Sequence, residues 1–140
     1  MALDNGYQFI TCADYAMRMP REIEDKTVVN RVDIDFSVKR AESLLNIFTS
    51  LNIRATFFLR LHASEYNPTS FENYRIVKEI INAGHEIGYH SEVVDAASIW
   101  NEDPADCLRR DIEILEKAFK IQVYGVASHG GLTGLNNLDF

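Results

Sequence analysis

The chain has 140 residues, 46% of them hydrophobic and 25% charged, the profile of one ordinary globular domain spanning 1–140. A net charge of −7 without any Lys/Arg-rich run argues against nucleic acid and anionic membrane as partners, because both recruit basic patches. No apolar run can span a bilayer, Met1-Ala2-Leu3-Asp4-Asn5 lacks leader features, and Cys12 and Cys107 show no metal spacing, so a cytoplasmic chain with reduced thiols is expected.

Thr11 to Met19 suggests a short helix packed outside a sheet. Thr27 to Asp35, with Val28, Val29, Val32 and Ile34, predicts a first core strand. Ser37 is placed to cap the following helix, whose Ala41, Leu44, Leu45, Phe48 and Leu51 recur at helical spacing. Ile53 to Leu59 predicts a second strand. Asn67-Pro68 marks a turn, and Thr69 with Glu72 has capping-box spacing before a helix that buries Ile76, Val77, Ile80 and Ile81 and stops at Gly84. His85 to Tyr89 predicts a third strand. Asp103-Pro104 opens a further helix with Leu108, Ile112, Leu115 and Phe119 on one face, and Ile121 to Ser128 predicts a fourth strand.

The order β-α-β-α-β-α-β gives an α/β fold with a parallel sheet and outer helices. Ligands of such sheets gather at the C-terminal strand ends, where the unusual polar residues of this sequence fall. Asp33 and Asp35, two apart, face one side of the first strand. Two carboxylates sharing a cavity call for a cation or a shared proton. Both can bind a hard ion, or one can bind while its neighbour serves as general base. Asp35 could instead cap the next helix, a role Ser37 already fills. His90 lies just past the third strand, a candidate metal ligand at a strand end, and His129 closes the fourth, a candidate ligand, general acid or substrate contact. Glu92 is a weaker candidate ligand. Arg60 and His62, after the second strand, are candidate substrate contacts, and His85 is expected to be structural.

Val32-Asp33-Ile34-Asp35-Phe36-Ser37, Ala55-Thr56-Phe57-Phe58-Leu59 and Gly84-His85-Glu86-Ile87-Gly88-Tyr89-His90-Ser91 together resemble the NodB-like polysaccharide deacetylases across Thr27 to Ser128. The resemblance implies a distorted, partial (β/α) barrel that removes an N- or O-acetyl group from a saccharide with a divalent metal ion, most simply zinc. It implies Asp33 as the base and Asp35 and His90 as ligands. The sequence departs from the family pattern in three places. The usual adjacent Asp-Asp is Asp-Ile-Asp. The second His of the Gly-His-Glu motif is Val94, so the third ligand is either missing or replaced by Glu92, Asp95 or His129. The family's proton-donating His would lie beyond Phe140. If 140 residues is the natural length, the barrel is incomplete, and self-association over its open edge or a domain fragment is expected. Two alternatives stand beside this reading. One is a non-catalytic carbohydrate-binding protein on the same fold. The other is a haloacid-dehalogenase-like phosphohydrolase using Asp33-Ile34-Asp35 with Mg²⁺.

Overall fold

The computed structural model describes residues 2–18, 25–135 and 137. After a single 3₁₀ turn, the elements run β1 (Gln8–Ile10), α1 (Cys12–Met17), β2 (Thr27–Val29), β3 (Arg31–Ile34), α2 (Val38–Ser50), β4 (Thr56–Leu59) and α3 (Phe71–Asn82). They continue with β5 (Glu86–Ser91), α4 (Val93–Trp100), α5 (Pro104–Phe119) and β6 (Val126–Ser128). The strands β3-β4-β5-β6 form one parallel sheet in that order, and β1 pairs with β2, also in parallel. This is part of a distorted (β/α) barrel with its helices outside.

The strand expected over Thr27 to Asp35 is two strands with different partners. Asn30 makes the exchange. Its N–H donates to Ile10 of β1 and its carbonyl accepts from Thr56 of β4. A single run of β-branched residues therefore serves two neighbours in succession.

Alternation along the strands sorts the side chains. Ile34, Phe57, Leu59, Ile87 and Tyr89 turn outward into a core with Val38 and Leu45 of α2, Ile76 and Ile80 of α3, and Leu115 and Phe119 of α5. By the same alternation Arg31, Asp33, Thr56, Phe58, Glu86, Gly88 and His90 share the opposite, inner face. One face thus holds the fold together while the other carries the polar groups.

The helices correct several expectations. Ser37 caps α2 as expected, its Oγ accepting from Arg40 N–H. The buried stripe of α2 is Val38-Ala41-Leu45, and Leu44 and Leu51 lie off it, exposed. Thr69 does not cap α3, because Asn67 Oδ1 engages both its N–H and its hydroxyl, and Ser70 takes the cap position. Gly84 ends α3 with φ +82°, a left-handed backbone that suits glycine. Asp103 and Pro104 open α5 as predicted, with the Asp103 carboxylate accepting from Ala105 and Asp106. The fourth strand starts only at Val126, since Ile121 and Val123 donate back to Glu116 at the end of α5. The short N-terminal helix spans Cys12–Met17, and its first turn reaches the inner face. Cys12 N–H donates to Thr56 Oγ1 and Ala13 N–H to Glu86 Oε2. It covers the N-terminal strand ends.

Candidate functional site

At the opposite strand ends, β3 delivers Asp33 and the turn after it delivers Asp35. His90 lies within β5 rather than past it, because pairing with β6 extends the ladder through Ser91 and on to His129 N–H, which donates to Ser91 O. That same bond sets His129 beside His90, ring against ring, with centroids 5.1 Å apart.

His90 is buried, and its Nδ1 lies 2.8 Å from Ala127 O. A carbonyl only accepts, so Nδ1 carries the hydrogen, which leaves Nε2 facing inward and free to ligate an ion. Nε2 stands 3.2 Å from Asp35 Oδ1 and 3.8 Å from Asp33 Oδ2, and His129 Nε2 is 3.9 Å from the same Asp35 oxygen. Ligand atoms of Asp35, His90 and His129 all lie within 4.8 Å of one another. Asp35 Oδ1 and His129 Nδ1 are buried without a hydrogen-bond partner. Acceptors converging without a donor repel unless a cation or proton enters. The two imidazoles and one carboxylate fit a small divalent ion of the zinc type.

Asp33 stands beside this group, held by a fork. Arg31 Nε and Nη2 donate to its two oxygens at 2.7 and 2.8 Å. The guanidinium also lies over the Phe58 ring, 5.2 Å from its centroid. Phe58 packs closely against Gly88, where a Cβ would come 2.4 Å from the ring. Arg31 was not singled out from sequence, though an Arg two residues before Asp33 on one strand face was a legible signal.

Behind the site, Arg60 is buried. Its Nε and Nη2 donate to Glu92 Oε1 at 3.1 and 2.6 Å, and Nη1 donates to Asp35 O at 2.8 Å. Tyr66 donates its hydroxyl to Ile34 O at 2.7 Å, and burial pushes its pKa up to about 12, which keeps that proton in place. Arg60 and Tyr66 together pin the turn that carries Asp35. Glu92 lies outside the three-residue group, with Oε1 on Arg60 and 3.6 Å from His129 Nδ1. His62 lines a cavity of about 270 Å³ that Arg60, Glu92 and His129 also line. His85 is structural in its contacts, its Nδ1 accepting from Ala55 N–H, and burial lowers its pKa.

Val94, where a second motif His was expected, sits on α4, a helix the sequence reading missed. Asp95 beside it is spent on the loop after β6. Its oxygens accept from Leu132 N–H, Thr133 N–H, Thr133 Oγ1 and Asn137 Nδ2. Asn137 Oδ1 in turn accepts from Val94 and Asp95 N–H, capping α4 from 42 and 43 residues away. The loop thus anchored begins at His129.

A family model described as polysaccharide deacetylase matches residues 21–133. No curated protein and no solved structure gives a match.

Proposed function

The chain belongs to the polysaccharide deacetylase family, a group of carbohydrate-acting hydrolases, and from that premise we propose that it removes an N- or O-acetyl group from a saccharide with a divalent ion, zinc suiting the donor set best. The observation that carries the metal reading is the unpartnered Asp35 Oδ1 facing His90 Nε2. Asp35, His90 and His129 would hold the ion, His129 taking the place of the His that Val94 replaces. Such an ion lowers the pKa of water and polarises an acyl carbonyl. Asp33 accepts the water's proton, with Arg31 fixing its carboxylate beside the ligand group. Arg60 and Tyr66 hold Asp35 in place, and the cavity lined by Arg60, His62, Glu92 and His129 receives the sugar.

The two free cysteines support a reducing, cytoplasmic setting, and among the described residues no helix is long and apolar enough to cross a membrane. Exposed Val126 on the edge strand β6 supports self-association there. The family match lends no support to a phosphohydrolase, in which His90 and His129 would have no task.

Purified protein should retain about one zinc per chain after dialysis by elemental analysis, and release acetate from N-acetylated chito-oligomers or acetyl esters. Absence of bound ion at micromolar concentration would end the metal-hydrolase reading. Binding without any turnover would favour a carbohydrate-binding role.

A further inference from the structure

A second polar cluster faces the same cavity. Asp111 of α5 is completely buried, and its Oδ2 accepts from Tyr89 O–H at 2.6 Å and lies 2.8 Å from His62 Nε2. Arg110 Nε reaches its Oδ1 at 3.4 Å. Burial alone would raise the Asp111 pKa, but hydrogen bonds from His62 and Tyr89, with the Arg110 charge, hold it below the usual carboxylate value. Asp111 is therefore an anion and an acceptor, so His62 Nε2 carries the hydrogen.

That leaves His62 Nδ1, which makes no hydrogen bond among the described residues. The ring is braced edge-on against Trp100, centroids 5.0 Å apart, and Trp100 is itself covered by the Arg110 guanidinium at 5.0 Å. The His62 side chain is 27% exposed and lines a cavity together with His129 and Glu92. A buried carboxylate that fixes one imidazole nitrogen and turns the other toward a reaction cavity is an arrangement suited to proton transfer. A surface histidine needs neither the buried anion nor the aromatic brace.

We propose that His62, oriented by Asp111, is the catalytic acid that protonates the leaving group. The proposal rests on the hydrolase reading above. In the first half of the reaction a bond forms from the water oxygen to the acyl carbon. Asp33 takes the water's proton and the carbonyl π pair moves onto its oxygen. When that pair returns, the bond from the acyl carbon to the sugar nitrogen or oxygen breaks. Its electron pair stays on the leaving atom, which takes the proton from His62 Nδ1. Acetic acid and the free amine or alcohol depart, leaving His62 neutral and Asp33 protonated, and proton exchange with solvent resets both.

The charged and titratable groups around His62 are Asp111 and Arg110 of α5, Tyr89 of β5, Glu92 and Asp95 at the start of α4, Arg60 and Glu65 of its own loop, and His129 after β6. Among the described residues, Asp111 is the one anion in hydrogen-bond contact with the ring.

An activated aryl acetate expels its leaving group without a proton, whereas an N-acetyl sugar needs one. The test is therefore the ratio of kcat/KM for an N-acetylated chito-oligomer to that for p-nitrophenyl acetate, in zinc-loaded wild type and His62→Gln. We expect the ratio to fall about 100-fold or more, with bound zinc and the circular dichroism spectrum preserved. The alkaline limb of the amide's pH profile should disappear. Imidazole added to His62→Ala should restore amide cleavage more than ester cleavage. Equal loss on both substrates, or no loss, would overturn the proposal and leave the metal site standing. A wild type that binds zinc but turns over neither substrate overturns both readings of catalysis, and one without zinc overturns the metal centre as well.

Discussion

Asp35 stands beside His129, Asp95 binds the loop that follows it, and the two carboxylates meet opposite fates. Asp95 is buried and has both oxygens filled by donors from Leu132, Thr133 and Asn137. Asp35 has its backbone carbonyl gripped by Arg60 while its Oδ1 is buried without a partner. The first carboxylate is used up in building the loop after β6. The second is held rigidly yet kept chemically open. A buried acceptor without a donor costs about 1–3 kcal/mol, so it persists where something else repays it. For Asp35 the proposed ion would do so.

The sharpest way to break the comparison is to neutralise each carboxylate in turn. Asp35→Asn should lower zinc affinity by at least about 100-fold by isothermal titration while leaving the melting temperature of the metal-free protein unchanged or slightly higher. Retained affinity would remove Asp35 from the ligand set.

Asp95→Ala should do the reverse. It strands the Leu132 and Thr133 amides and should cost about 2–3 kcal/mol in urea unfolding, with a smaller, roughly tenfold loss of zinc affinity through the loosened His129. A larger effect on zinc than Asp35→Asn would make Asp95 a ligand after all.

Acid sharpens the same contrast. Hydrogen bonds hold the Asp95 pKa at about 2, below its ordinary 3.8, against a burial effect that would raise it. A depressed folded-state pKa means that the unfolded chain takes up the proton first. The stabilisation, about 2 kcal/mol, is complete above pH 4 and is lost as pH falls toward 2. Unfolding free energy measured between pH 5 and 2 should fall less steeply in Asp95→Asn than in wild type. The smallest test is Gly131→Ala. A Cβ there would lie 1.8 Å from Leu135 O, so the loop must shift, at a cost of about 1–2 kcal/mol.

The same two regions differ in how far sequence revealed them. Asp33, Asp35 and His90 were legible because they sit in strand patterns whose alternation and ends can be read locally. His129 was legible as a strand-end His among several candidates for the missing ligand, and folding gathered it with Asp35 and His90. The strand over Thr27 to Asp35 could not be seen to split, because Asn30 changes partners through hydrogen bonds to residues far along the chain. Helix α4 was invisible for a related reason. Val93-Val94-Asp95-Ala96-Ala97-Ser98-Ile99-Trp100 is largely apolar, with Asp95 and Ser98 its two polar residues, and its cap is Asn137 rather than a neighbour. The pairing of His62 with Asp111 spans 49 residues and leaves no local trace.

The Asn137 cap also has a bearing on timing. A chain emerging from the ribosome can build β3 to β5 and bring Asp33, Asp35 and His90 together well before residue 137 is free. The loop that steadies His129 closes only when Asn137 reaches α4 and Asp95. Until residue 137 has emerged, a nascent chain would therefore present an unfinished pocket, with His129 not yet steadied beside Asp35 and His90.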